Sequence, residues 1–440
     1  MKKALVILYY WPPSGGMAVQ RWLKFTKYLR EFDWEPVIVA PENAHYPETD
    51  HSLEQEIPEG IQVIRVPIFE PSRLYGKFIG SKEGENIGVS FALKKKPSKF
   101  ASVKNSLSLW VRGNLVIPDA HVFWVRPVYR HLKRYLGGNP VDVIITTGTP
   151  HSLHLIGLKL RRKFDIPWVA DFRDLWTKID FYQDLKLTRL ADRIHHHLER
   201  KVVSGADHVI TVGDLWKEEF LQIGAKQVTV ITNGYDPEDV PQEEPVPDRK
   251  FTIVHVGSVG KNRDARALWE VLAHKADSDP AFARDLSLVF IGNVDFSVAE
   301  SLKQAGLTKY ITRIGYLSHR DAMRSQQNAR LLLLLINNSA DAKGRLTGKI
   351  FEYLASRRPI LAIGPEDGEA SKLLEATGTG HAADYNNAIR IGALVDSFYQ
   401  AYREGKTDAG NFDPGRYSRR ALSGNLAGLL DQVSHQKNRN

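Results

Sequence analysis

Short apolar runs with strand character alternate with stretches of helical periodicity along almost the whole chain, and no other feature restricts the fold as strongly. The first run covers residues 4–9. A turn cluster, Pro12-Pro13-Ser14-Gly15-Gly16, follows it, and then Val19, Trp22, Leu23, Phe25, Tyr28 and Leu29 recur at helical spacing. Further apolar runs stand at 36–40, 61–66, 141–146, 168–171, 208–212 and 228–231. A strand buried on both faces reads as a continuous apolar run, and strands separated by helices pair in parallel because each connection must cross the sheet. The pattern predicts an α/β domain whose parallel sheet is covered by helices.

The alternation stops once and begins again. Residues 237–248 are dense in Pro, Glu, Asp and Gln without apolar periodicity and read as a linker. A second series follows, with apolar runs at 251–256, 286–291, 311–316, 331–336 and 359–363 and helical segments at 265–273 and 349–355. The 440 residues suffice for two or three cores. The expected division is a first domain over 1–236, a linker over 237–249, a second α/β domain over 250–410 and a final helical segment over 411–440. In the first domain, residues 69–136 form an excursion too long for a plain connector.

Charge is concentrated in that excursion. Between Leu93 and Arg134 ten Lys and Arg stand against the single acid Asp119, leaving 50 basic and 50 acidic residues elsewhere, although the whole chain carries +9. A general polyanion binder spreads cations over its binding face, so no nucleic-acid partner is expected. The absence of cysteine excludes disulfides, thiolate metal sites and a cysteine nucleophile. The apolar stretch after Met1-Lys2-Lys3 is too short for a signal core or a membrane span, and a cytoplasmic protein is expected.

In open parallel sheets ligands bind beyond the carboxyl ends of the strands, and four segments fall there. Gly15 and Gly16 follow the first strand, where backbone amides at a helix start can approach an anion or a hydroxyl, though an ordinary strand-to-helix turn reads the same way. Asp171-Phe172-Arg173-Asp174 puts a cation between two carboxylates; the plainer alternative is a helix cap with a surface ion pair. Gly257-Ser258-Val259-Gly260-Lys261-Asn262-Arg263 is a glycine turn ending in two cations able to neutralise a diphosphate without metal, or else a solvated loop. Thr347-Gly348-Lys349 opens a helix with Glu352 on the same face, an anion site followed by a carboxylate suited to a ribose diol. A surface Lys–Glu pair is less apt, because a lysine in the first turn opposes the helix dipole.

Other features read as structural. His195-His196-His197 lies in a helical pattern whose adjacent positions diverge and cannot share a metal. Asp277-Ser278-Asp279 precedes Pro280 in a helix-ending turn. His151 stands at a strand end, and a core or capping role is as apt as a functional one.

Together, the Pro-Pro-Ser-Gly-Gly loop, Asp-Phe-Arg-Asp-Leu-Trp at 171–176, Thr-Asn-Gly-Tyr-Asp at 232–236 and Thr-Gly-Lys-Ile-Phe-Glu-Tyr-Leu-Ala at 347–355 make the chain resemble the family 4 glycosyltransferases of GT-B fold. It looks like the bacterial subgroup that builds capsular, lipopolysaccharide or exopolysaccharide chains. The resemblance implies two Rossmann-like domains facing across a cleft, with a C-terminal helix crossing back to the first. It implies metal-independent, retaining transfer from a nucleotide-sugar donor, with no cofactor, to a glycan or polyprenyl-diphosphate-linked acceptor.

Carried onto this sequence, Gly15, Gly16, Lys261, Arg263, Thr347, Gly348 and Lys349 hold the donor phosphates, Glu352 the ribose, and Tyr316 and Leu317 the base. Asp171, Arg173 and Asp174 are the catalytic candidates. The chain departs from the family at Gly344, eight residues before Glu352, where a second glutamate is frequent, and at Arg173, where many members have a histidine. A lipid-linked acceptor implies peripheral contact of 93–134 with an anionic inner membrane face, through the lysines at 94–104 with Trp110, Phe123 and Trp124. Two other classes compete: a nucleotide-sugar 2-epimerase on the same fold, and a non-enzymatic polyanion binder.

Overall fold

The computed structural model describes residues 1–46, 48–70, 109–179, 182–406 and 412–437. Its chain divides into two compact units, one formed by Met1–Thr232 with Arg419–Asn440, the other by Asn233–Ser418.

The first unit holds a seven-stranded sheet: β1 (Lys2–Ile7), β2 (Trp34–Pro41), β3 (Gln62–Val66), β4 (Val143–Gly148), β5 (Trp168–Phe172), β6 (His208–Thr211) and β7 (Val228–Val230), in the spatial order β3-β2-β1-β4-β5-β6-β7. Every pairing is parallel, with Leu5 beside Val37 on one side and Ile144 on the other. Helices of this part of the chain include α1 (Met17–Leu29), α2 (Val122–Tyr135), α3 (Ser152–Phe164), α4 (Arg189–Gly205) and α5 (Asp214–Ile223). Alternate residues of each strand serve opposite faces, so Leu5 and Ile7 enter one core layer and Ala4 and Val6 the other.

The second unit repeats the scheme with β8 (Phe251–Val256), β9 (Leu286–Ile291), β10 (Ile311–Ile314), β11 (Leu331–Leu335), β12 (Ile360–Ile363) and β13 (Gly380–Ala383). These lie in the order β10-β9-β8-β11-β12-β13, again all parallel. Around them stand α6 (Arg266–Ser278), α7 (Pro280–Asp285), α8 (Phe296–Gln304), α9 (His319–Asn328), α10 (Gly348–Ala355), α11 (Glu369–Thr377) and α12 (Ala388–Arg403). Strand order therefore reverses twice in the protein, at β1/β4 and at β8/β11, and each reversal opens a crevice at the carboxyl ends of the strands.

The last helix, α13 (Arg419–Lys437), belongs to the first unit. Leu422, Leu426, Leu429, Leu430 and Val433 enter the core layer that also holds Val19, Trp22 and Leu23 of α1. Burying such side chains contributes roughly 1.5–3 kcal/mol each. At its rim Asp431 accepts hydrogen bonds from Lys2 Nζ at 2.7 Å and Trp34 Nε1 at 3.2 Å.

Candidate functional site

In the second unit the crevice is built on two glycines. Gly257 follows β8 at φ +103°, and Gly292 follows β9 at φ +115°, in the left-handed region that other residues rarely adopt. A β-carbon on Gly292 would stand 2.9 Å from the carbonyl carbon of Gly257, and one on Gly257 would stand 2.4 Å from Nζ of Lys349. A side chain at 257 would fill the space the lysine occupies, and one at 292 would collide with the Gly257 backbone on which the lysine lies.

Lys349 enters from the first turn of α10. That helix opens at Thr347 without a side-chain cap, and the Thr347 hydroxyl is buried with no hydrogen-bond partner among the described residues. A helix start with uncapped amides, an unsatisfied hydroxyl and a lysine is an arrangement an anion completes. Burial, together with the nearby Arg263 guanidinium, pushes Lys349 down to about 8, against the opposing pull of Glu352.

Arg263 comes from the turn after β8 and ties the two strands of the reversal together. Its Nε donates to Asn337 Oδ1 at 2.6 Å and one terminal nitrogen donates to the Ser258 carbonyl at 2.9 Å. Asn338, after β11, donates its backbone N–H to Asn262 at 2.8 Å. Lys261 is exposed in the same turn. Arg263, Thr347, Gly348, Lys349 and Glu352 thus surround the β8/β11 reversal.

Glu352 lies one turn beyond Lys349, half-buried. Burial raises its pKa, against the lowering influence of His319, a hydrogen bond from Gln326 and Lys349. Gln326 Nε2 is 3.5 Å from Glu352 Oε2, the outer limit of a hydrogen bond. Of the two base candidates after β10, Leu317 packs against the core and Tyr316 is 88 % exposed.

The carboxyl edge of the first sheet differs from the expectation for Asp171-Phe172-Arg173-Asp174. Asp171 is wholly buried, not at the rim. It pairs with Arg21, itself buried, at 3.0 Å, and its Oδ2 also accepts from Trp22 Nε1 at 2.8 Å and Thr147 Oγ1 at 3.0 Å. Arg21 completes its bonds on the carbonyls of Ile231 and Thr232. The carboxylate accepts four hydrogen bonds, three of them on Oδ2, so Asp171 anchors β5 to α1 from within the core. Arg173 is likewise occupied: its guanidinium donates to the carbonyls of Gly148, Ala18 and Thr149 at 2.9, 2.8 and 3.1 Å. Asp174 is left half-buried at the edge.

The glycine loop after β1 is also engaged. Gly15 donates its N–H to the Glu48 carbonyl at 2.9 Å. Gly16 has φ +78°, and a β-carbon there would stand 3.2 Å from the Glu48 carboxylate. An acid beside the loop suits a hydroxyl-bearing ligand better than a phosphate.

Sequence reading missed a polar network on the same edge. Glu70 accepts from Tyr9 Oη at 2.5 Å and His45 N at 2.9 Å, and His121 stands between Glu70, 3.7 Å away, and Asp119, 3.5 Å away. Asp119 also accepts from the backbone and hydroxyl of Ser152. Burial works against its ionisation, but His121 and the Ser152 donors outweigh it and hold the acid at about 2. The network fastens both described ends of the 69–136 excursion to the sheet.

Asp279 and the histidine run take the structural roles read for them. Asp279 caps α7 through Ala281 N and Phe282 N. His195 is buried against Trp176, and His196 and His197 are exposed. His151 is buried, its ring stacked 5.1 Å from Trp176, and burial lowers it to about 4.

The lysines at 94–104 lie outside the described residues. Within the described part of the basic segment, α2 carries five Lys, Arg and His along its outer side and no acid. Arg126, Arg130 and Arg134 recur at helical spacing, with Phe123 at their head 6.1 Å from Phe69; these rings are 43 % and 55 % exposed. Trp124 is a correction to the expected membrane set. It is wholly buried, its indole N–H bonded to the Val66 carbonyl at 3.0 Å.

Residues 91–234 match the family model described as "Glycosyl transferase 4-like domain". The fold is similar to that of sucrose-phosphate synthase from Thermosynechococcus elongatus, with a TM-score of 0.59 at 15 % identity over 98 % of this chain and 99 % of that one. It is also similar to WaaG, a glycosyltransferase involved in lipopolysaccharide biosynthesis, with a TM-score of 0.52 at 11 % identity over 99 % and 98 % of the two chains. A putative UDP-N-acetylglucosamine 2-epimerase from Listeria monocytogenes gives a TM-score of 0.54 at 11 % identity over 99 % and 97 %. No curated protein matches the sequence. The two parallel sheets of repeated topology give the chain the GT-B fold, and residues 91–234 are similar to a glycosyl transferase 4-like domain.

Proposed function

We propose that the protein transfers a sugar from a nucleotide-sugar donor to a glycan or polyprenyl-diphosphate-linked acceptor, with retention at the anomeric carbon and without metal, in bacterial cell-surface polysaccharide synthesis of the lipopolysaccharide type. One observation carries the donor assignment: Lys349 lies flat on Gly257 at the β8/β11 reversal, with Glu352 one turn further along its helix. A diphosphate meets Lys349, Arg263, Lys261, the Thr347 hydroxyl and the first amides of α10, while Glu352 accepts from the ribose hydroxyls. Leu317 and Tyr316 follow β10 on the side where the base extends.

In the transfer the bond from the anomeric carbon to the diphosphate oxygen breaks as the acceptor oxygen bonds to that carbon. The acceptor proton passes to the departing diphosphate. The protein's part is charge stabilisation by the unit-two cations and positioning. Asp171, sequestered by Arg21, has no part in the step, and Arg173 acts through the loops it ties. The acceptor is assigned to the carboxyl edge of the first sheet, where Gly15, Gly16 and Asp174 lie.

No helix among the described residues is long and apolar enough to cross a membrane. The acid-free α2, with its arginine row and the Phe69–Phe123 pair, fits a peripheral contact with an anionic bilayer. Flotation with anionic and neutral vesicles tests this. Arg126→Glu with Arg130→Glu is expected to abolish anionic binding; equal partitioning to both vesicle types would contradict it.

The transfer itself is tested by incubating the protein with UDP-, GDP- and ADP-sugars, lipid-linked and free glycan acceptors, and EDTA. Acceptor-dependent release of nucleoside diphosphate is expected. The likeness to the 2-epimerase favours one competing outcome, a changed nucleotide sugar formed without acceptor, and that product would overturn the transferase reading.

A further inference from the structure

We propose that Gln326 is a positioning residue that aims the Glu352 carboxylate at a ribose diol and thereby sets a preference for ribonucleotides over 2′-deoxyribonucleotides; this rests on the donor reading above. Gln326 lies in the last turn of α9 and has no solvent exposure. Its Oε1 is 3.1 Å from the Ser356 hydroxyl, whose single proton also has the Glu352 carbonyl as an acceptor, and an ionised carboxylate, which only accepts, keeps the N–H side of the amide toward itself. That leaves Nε2 turned toward Glu352 Oε2, 3.5 Å away. Ser356 closes the arrangement from Glu352's own helix end, its hydroxyl also lying 2.9 Å from the Glu352 carbonyl. The Gln326 amide is thus held between Ser356 and the Glu352 carboxylate.

The chemistry of the pair matters as much as its placement. A diol offers two O–H donors and needs a carboxylate that is oriented but not already spent. A cation at position 326 would close an ion pair and consume the acceptor capacity; an amide orients the carboxylate through one neutral donor and leaves the remaining lone pairs available. The charged groups facing Glu352 are His319 at the start of α9, Lys349 one turn back on α10 and Asp239 from the segment before β8. His319 acts on the carboxylate through its charge and itself faces Asp239 at 3.5 Å, whereas Gln326 offers it a neutral amide donor. Loss of the ribose 2′-hydroxyl leaves an oriented, half-buried acceptor without its donor, which is costly.

The full chain is titrated by calorimetry with UDP, GDP and ADP and with their 2′-deoxy counterparts. The wild type is expected to bind one ribonucleotide about tenfold or more tightly than its 2′-deoxy form. In Gln326→Met, which keeps the length and removes the donor, that ratio falls to near one while the 2′-deoxy affinity changes by less than about twofold. Loss of a donor also raises the Glu352 pKa, so the acid limb of ribonucleotide binding moves to higher pH. A merely structural role would lower both affinities together and move neither the ratio nor the limb. Gln326→Asn, which retracts the amide but stays polar, makes the same test where methionine impairs folding. A tenfold ratio retained in the folded variants overturns the role of Gln326 alone. Failure of the wild type to bind any of the nucleotides overturns the donor reading, and this inference with it.

Discussion

The ammonium of Lys349 occupies the space beside Gly257 in which a side chain would otherwise begin, 2.4 Å from where a β-carbon would stand. The relationship joins the carboxyl end of β8 to the first turn of α10, although 92 residues separate the two. It gives position 257 two requirements at once, a left-handed backbone at φ +103° and an empty flank.

Gly257→Ala is therefore expected to displace Lys349 and to strain the backbone by about 1–2 kcal/mol. Nucleotide affinity should weaken about tenfold or more while the protein stays folded, read by calorimetry beside a thermal melt. Unchanged affinity would show that Lys349 does not need its place against residue 257.

Proton linkage gives a second expectation. Lys349 in the free protein titrates at about 8, below an ordinary lysine, chiefly because it is buried. A bound diphosphate favours the protonated form, so the complex titrates higher than the free protein. Affinity should be level below about pH 7 and fall as pH rises through 8, by up to about tenfold per unit. Lys349→Arg should flatten that limb, since guanidinium keeps its charge throughout. Calorimetric titration between pH 6.5 and about 9.5 checks both curves.

The buried pair in the first unit predicts a loss of stability. Asp171→Asn leaves Arg21 charged, buried and without its counter-ion, at a cost of about 3–5 kcal/mol. Urea unfolding should show the shift, and nucleotide binding by the remaining folded protein should be unchanged. A stable variant that loses only transfer activity would return Asp171 to the reacting centre.

The two sheets were legible because parallel strands buried on both faces are continuous apolar runs, as at Leu331–Leu335. The last strand, Gly380–Ala383, was not: Gly-His-Ala-Ala has too little apolar bulk to announce itself. Lys349 and Glu352 could be read because a helix start, a cation and a carboxylate fall within six residues. The fate of Asp171 could not, since Arg21 is 150 residues away and looks like any polar residue on a helix face. Gln326 is hidden for the same reason, being tied to its partners by tertiary packing alone. Trp124 was legible and misread: it shares a helical face with Val128 and Leu132, a spacing that already turned it inward, away from Phe123.

The central claim is that the β8/β11 reversal holds the nucleotide of a sugar donor, and thermal unfolding with UDP, GDP and ADP in the presence of EDTA tests it most directly. A ligand that binds only the folded state raises the melting temperature in proportion to ln(1 + [L]/Kd). One nucleotide is expected to raise the melting temperature of the wild type, with the shift lost in Lys349→Ala and sharply reduced in Glu352→Gln. No shift with any nucleotide, or a shift undiminished in both variants, would contradict the account.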